Sequence, residues 1–163
     1  MTEREALAAL RETDPTRVAR AEAALWAMWC HTGISEVDTL FGEGVAAIER
    51  QELETAERIF GRLIQRAPEF AEGWNKRATV RYLRGDYTGA ISDCQETLDR
   101  KPHHFGALSG QGLCHIALGQ FHEAADLFRR TLAVHPHLAA ARQNLAAVLG
   151  EMIKGNGHAT GGG

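Results

Sequence analysis

The 163-residue chain is expected to be all-α: a right-handed solenoid of stacked helical hairpins with a helical cap at each end. Three observations carry this expectation. Prolines stand at Pro68, Pro102 and Pro136, each 34 residues from the next. Alanines keep the same step at Ala56, Ala90 and Ala124. Phe60 and Phe128 share a slot that Cys94 fills in the middle unit. A period kept by several residue types at once marks a repeated supersecondary unit that buries its apolar face against its neighbours.

Each column has a physical reason. Proline lacks an N–H and disfavours helix in the residue before it, so it ends the second helix of a unit. The alanine is small where two helices cross closely. The phenylalanine fills the gap between neighbouring units. Gly85 and Gly119 match one another and end the first helix of their units, where a left-handed residue is wanted. The first unit has Gln51 at that place, which predicts a looser turn. Thr97 pairs with Thr131, Leu98 with Leu132, and His103 with His137.

The register divides the repeats into units 37–70, 71–104 and 105–138. It predicts helix pairs at 37–50 and 52–66, 71–84 and 88–101, and 105–118 and 122–135. An Ala-rich stretch at 139–153, with Leu145, Val148 and Leu149, reads as a closing helix over the last unit, so the repeat domain runs 37–154. The Gly-rich segment 155–163 is expected to be disordered. Residues 1–36 form a helical cap, with helices at 2–12 and 15–31. Asp14 and Pro15 start the second of these as N-cap and first-turn proline, and Gly33 stops it. Its bulky stripe of Leu25, Trp26, Met28 and Trp29 is expected to pack onto the first repeat. The alternative is an exposed Trp26 or Trp29 that makes a partner or dimer contact.

The pattern resembles the tetratricopeptide repeat family, whose units run Trp, Leu-Gly, Tyr, Ala, Phe, Pro. The first unit gives Leu40, Gly44, Ala56, Phe60 and Pro68. The middle gives Trp74, Ala78, Ala90, Cys94 and Pro102, and the last gives Leu108, Gly112, Ala124, Phe128 and Pro136. The segments 70–79 and 102–110 also resemble a bacterial and plant subgroup of such proteins, some of which carry export signals. The resemblance implies a scaffold fold and leaves the chemistry to surface residues.

Composition excludes several classes. The net charge of −3 and pI of about 6.2 give no basic footprint for nucleic acid. Cys30, Cys94 and Cys114 are sparse, odd in number and without a CxxC pair, so they read as reduced thiols. No apolar run reaches membrane-spanning length, and the charged start does not read as a secretory signal. The expected location is cytoplasmic, or periplasmic if a leader was trimmed. There is no nucleophile motif and no phosphate loop, so neither an enzyme nor a cofactor is expected.

In the resembled family the first helix of each unit lines a concave groove. That register points inward Phe41, Val45 and Ile48, then Asn75, Lys76, Thr79 and Tyr82, then Ser109, Gly110, Leu113 and Ile116, then Gln143 and Asn144. The set mixes amides, which suit a peptide backbone, with apolar residues that suit side chains. The expected function is an adaptor that binds a protein partner's peptide or helix. A clamp for a chaperone's C-terminal carboxylate is not expected. The slots that should supply its cations hold Phe41 and Val45 or Gly106 and Gly110. Two other readings are self-assembly into a homo-oligomer and weak metal binding by His103, His104, His135 and His137. These histidines lie in equivalent loops about 10 Å apart by helix spacing, whereas one ion needs its ligands about 2 Å away.

Overall fold

The computed structural model describes residues 1–159, in which there are nine helices and no strand. They are α1 (Glu3–Ala9), α2 (Pro15–Trp29), α3 (Ser35–Glu49), α4 (Leu53–Arg66), α5 (Ala71–Leu83), α6 (Tyr87–Arg100), α7 (Phe105–Ala117), α8 (Phe121–Val134) and α9 (Ala139–Ala159). Helices α3–α4, α5–α6 and α7–α8 are the three repeat hairpins. α9 closes the stack. It reaches Ala159, so residues 155–159 are helical where disorder was expected, and 160–163 lie outside the described residues.

Local chemistry explains the boundaries. Thr2 and Glu5 form a reciprocal capping box on α1, with Glu5 N–H donating to Thr2 Oγ1 (3.2 Å) and Thr2 N–H to Glu5 Oε2 (2.7 Å). Asp14 caps α2 through Thr16 N–H (2.9 Å), with Pro15 in its first turn. The turns inside the three hairpins are alike. Gly85 and Gly119 take φ of 81° and 71°, and Gln51 takes 60°. Glu52 N–H reaches Ala47 O at 2.9 Å, as Asp86 N–H reaches Arg81 O (2.9 Å) and Gln120 N–H reaches His115 O (2.8 Å). The expected looser turn at Gln51 is therefore corrected. The closing hydrogen bonds impose the left-handed conformation on a residue that adopts it at a cost.

The repeated columns lock the hairpins. A Cβ at Gly44 would fall 2.5 Å from Phe60 Cζ, and one at Gly112 would fall 2.8 Å from Phe128 Cζ. Each phenyl ring thus needs a facing glycine. Buried Thr97 and Thr131 donate to the carbonyls of Asp93 (3.0 Å) and Leu127 (2.8 Å), which satisfies their hydroxyls inside the stack. Within the second unit, Arg77 grips buried Asp93 with two bonds (2.8 and 2.9 Å), and Arg81 ties that Asp93 (3.1 Å) across to Glu57 of the first unit (2.9 Å). Burial raises the Glu57 carboxyl, but hydrogen bonds from Arg81 and Arg84 outweigh it and hold the group below the ordinary carboxylate value.

One large element sits elsewhere than expected. The α1–α2 hairpin does not cap the first repeat. Its apolar residues Ala6, Leu10, Val18, Ala21, Leu25 and Trp29 share a core with Leu98, Phe105, Leu108, Leu127 and Val134, which belong to α6, α7 and α8. The first unit builds a separate core around Phe60 and Leu63, which Val80 of α5 completes. The chain turns back at Thr32–Gly33, where Asp38 accepts from Thr32 N–H (2.9 Å), Thr32 Oγ1 (2.7 Å) and Gly33 N–H (3.1 Å). No helix among the described residues is long and apolar enough to cross a membrane.

Candidate functional site

The inner faces of α5 and α7 meet α2 around a pocket of about 240 Å³. Its walls include Asn75, Lys76, Thr79 and Tyr82 of α5, Gly110 and Leu113 of α7, and Trp26 of α2. Ala78, Cys94, Gly106 and Cys114 complete the lining. Six of the expected groove residues, Asn75, Lys76, Thr79, Tyr82, Gly110 and Leu113, are thereby brought together. They stand on one face because positions three and four apart on a helix are neighbours.

The others lie away from this pocket. Phe41 packs against Phe60 and Phe70, with ring centres 6.1 and 5.6 Å away, and Val45 and Ile48 join the same cluster. Ile116 packs against the core of α8 and α9. Ser109 and Asn144 are half-buried, and Gln143 is exposed on α9. Four apolar positions expected to face a ligand are thus used between helices; for Phe41, Val45 and Ile48 the reason is that the first hairpin has no preceding repeat to cover it.

The polar floor of the pocket is ordered by a buried carboxylate. Glu72 is fully buried and accepts from His104 Nε2–H at 2.7 Å and from Asn75 Nδ2 at 3.0 Å. Lys76 Nζ lies 3.6 Å from the same carboxylate. His104 Nδ1 accepts the Ala107 N–H (3.0 Å), so its ring proton sits on Nε2 and points at Glu72. The imidazole stacks on Trp29, with ring centres 4.3 Å apart. Lys76 is consequently paired and not a free cation.

Sequence reasoning missed the role of Trp26 and of the loop histidines. Trp26 sits edge-on to His104 and Phe105, and its Cη2 would stand 2.9 Å from a Cβ at Gly106. Gly106 therefore makes room for the indole. The α2 helix narrows the groove without filling it. His135 Nε2–H donates to Glu22 (3.1 Å), and His137 Nε2–H donates to the Glu12 carbonyl (2.8 Å). Lys101 donates to Glu3 (2.7 Å), which also accepts from Trp29 Nε1–H (2.9 Å). His103 stands exposed beside Arg4, Leu7 and Arg11 of the same hairpin. The metal reading of His103, His104, His135 and His137 is corrected: three of the four rings bind the hairpin or its Glu72 support, and no group of three or more His, Cys, Asp or Glu among the described residues is arranged to hold an ion. The signal available in the sequence was the departure of His104 and Gly106 from the repeat, which has Phe70 and Glu72 at the equivalent places one unit earlier.

The thiols are subdued. Burial, helped by the charge of Glu72, pushes Cys30 up to about 11, and burial pushes Cys114 up to about 11. Cys94 is raised further, first by burial. None of the three is poised as a nucleophile at neutral pH.

Comparison with known proteins agrees with this architecture. Family models described as tetratricopeptide repeat match residues 41–105 and 82–149. A TPR repeat-containing protein of Rhizobium etli is 29% identical over 146 residues, covering 90% of this chain and 71% of that protein. Tetratricopeptide repeat protein 36 of Bos taurus is 31% identical over 134 residues, covering 68% of this chain and 67% of its own length. Among solved structures, the first TPR of Spaghetti bound to an HSP90 peptide superposes with a TM-score of 0.72 at 19% identity, over 76% of this chain and 98% of that one. With the period, the glycine-backed phenyl rings and the stacked hairpins in place, the chain belongs to the tetratricopeptide repeat family.

Proposed function

We propose that this protein is an interaction scaffold that holds an extended, largely uncharged peptide segment of a partner protein across α5 and α7. The observation that carries the reading is the open pocket on the inner face, walled by Asn75, Lys76, Thr79, Tyr82 and Leu113. Thr79 is exposed and Tyr82 half-buried at its mouth, so both are available to a ligand. Asn75 spends its amide N–H on Glu72, which leaves its carbonyl oxygen to accept from a peptide N–H. Solved TPR domains bound to HSP90 and HSP70 peptides support the class of ligand. Their acidic ligands are a poor electrostatic fit here. The one cation lining the pocket, Lys76, already faces Glu72. Ser109, Gln143 and Asn144 would flank such a peptide on the α7 and α9 side. An assembly of copies would need a surface other than the Trp26–Trp29 stripe, since Trp29 is buried and Trp26 half-buried.

The test is affinity capture from the host lysate, with the wild type beside a Thr79→Glu/Tyr82→Ala variant, read by mass spectrometry. These positions are chosen because neither supports the buried Glu72 network. A partner enriched at least tenfold by the wild type and lost from the variant, with helicity unchanged, is expected. Equal capture by both would remove the groove from the function.

A further inference from the structure

The geometry points to a socket for one phenylalanine side chain, built into the middle repeat by the loss of its own. In the first and third units the ring of Phe60 lies against Gly44 and that of Phe128 against Gly112. Both rings are fully buried. In the middle unit the corresponding pair is Ala78 and Cys94, and both line the pocket. A thiol replaces a phenyl ring, and the single methyl added at Ala78 does not restore the volume.

Neighbouring residues keep this space open instead of collapsing into it. A Cβ on Gly110 would meet Cys94 Sγ only at 3.8 Å, so that position offers an unobstructed wall. Gly106 is bare where Trp26 comes down on it, and the indole forms one side of the socket. The volume of about 240 Å³ exceeds the roughly 150 Å³ of an apolar cavity that accepts benzene. Charge argues the same way. Lys76 is neutralised by Glu72, and the remaining walls are apolar or uncharged, so the complementary group is uncharged. An aromatic side chain fits both the size and the edge-on partner that Trp26 supplies. The occupant is the phenylalanine of a partner peptide, so this proposal rests on the groove reading above and names the residue that the groove selects.

The test uses the full chain and N-acetyl-phenylalaninamide as probe, with N-acetyl-lysinamide as control, followed by amide shifts in ¹⁵N-labelled protein. Saturable shifts in the millimolar range are expected at Asn75, Gly106, Gly110 and Cys114, and none with the lysine probe. Cys94→Phe places a ring opposite Ala78, whose methyl denies it the seat that glycine gives Phe60 and Phe128, so the ring enters the socket and should weaken the probe at least tenfold. Cys94→Ala should keep it. Equal binding by Cys94→Phe, or no saturable shift in the wild type, would overturn the proposal. If Cys94→Phe does not fold, Cys94→Ala decides: the widened socket should bind N-acetyl-tryptophanamide more tightly than the wild type does, and no gain refutes the assignment. Failure here is separable from failure of the groove. A partner captured equally by wild type and Cys94→Phe, yet lost from Thr79→Glu/Tyr82→Ala, leaves the groove standing and removes the socket.

Discussion

Replacing Trp29 by alanine should release the α1–α2 hairpin from the repeats without unfolding them. Trp29 is 4% exposed. Its ring stacks on His104 and approaches Phe105, with centres 4.3 and 5.4 Å away. Its Nε1–H donates to Glu3 at 2.9 Å. Truncating a buried tryptophan to alanine costs about 3–5 kcal/mol. For a chain of this size that lowers Tm by roughly 6–20 °C. Trp29→Phe keeps most of the stacking and deletes only the hydrogen bond. Glu3 is half-buried, so the loss should sit at the low end for a bond to a charged acceptor, about 1.5 kcal/mol. Thermal unfolding by circular dichroism gives both values. Hydrogen exchange locates them: protection should fall first at 3–29 and be unaltered by the substitution in α3–α4, whose core is separate. A Trp29→Ala cost below about 1 kcal/mol, or loss of protection spread evenly over every helix, would refute the view that this residue anchors the hairpin.

Further substitutions and a pH dependence test the same packing. Gly44→Ala should destabilise by about 1–3 kcal/mol, since its methyl would strike Phe60. Gly42→Ala, one half-turn away with open space around it, should stabilise by roughly 0.5–1 kcal/mol in the same denaturant titration. Gln51→Gly should raise stability by about 0.5–1 kcal/mol, because it relieves a left-handed residue at φ 60° and keeps the turn, a gain that chemical denaturation can resolve. Glu3 feels burial, which raises its pKa, but hydrogen bonds from Lys101 and Trp29 outweigh this and leave the group below its ordinary value of 4.5. Its contribution is therefore present above pH 4.5 and is lost as pH falls below that through the depressed value. Tryptophan fluorescence should report hairpin loosening in that acid window, and Lys101→Met should weaken the dependence.

The repeat was legible because period and chemistry coincide. Pro68, Pro102 and Pro136 mark the ends of α4, α6 and α8 to within a few residues, and the glycine–phenyl pairs fix how the first and third hairpins close. The inner face of α5 was readable for the same reason, since Asn75, Lys76, Thr79 and Tyr82 follow helical spacing. The seat of the N-terminal hairpin was not. Its stripe of Leu25 and Trp29 says that a face is buried but not against what, and the partners Leu98, Phe105 and Val134 stand about 70 residues or more further on. Phe41 and Val45 fall outside the pocket because the first hairpin, with no preceding repeat, draws them into its cluster with Phe60 and Val80. Helix to Ala159 escaped because glycine lowers helix propensity without forbidding the conformation.

The tie between the α1–α2 hairpin and the later repeats changes what kind of object the stack is. An open array of repeats unfolds piecemeal, each unit answering only to its neighbours. Here Glu3 reaches Lys101, Glu12 reaches His137 and Glu22 reaches His135, so a hairpin synthesised ahead of the repeats finds its place only after α8 has emerged. Such long-range closure slows folding and welds the second and third units into one cooperative block. The first hairpin, which shares no core with α1–α2, is left as the part free to fray. A scaffold built this way presents its pocket on the cooperative block and leaves its pliant hairpin behind the α5 wall of that pocket.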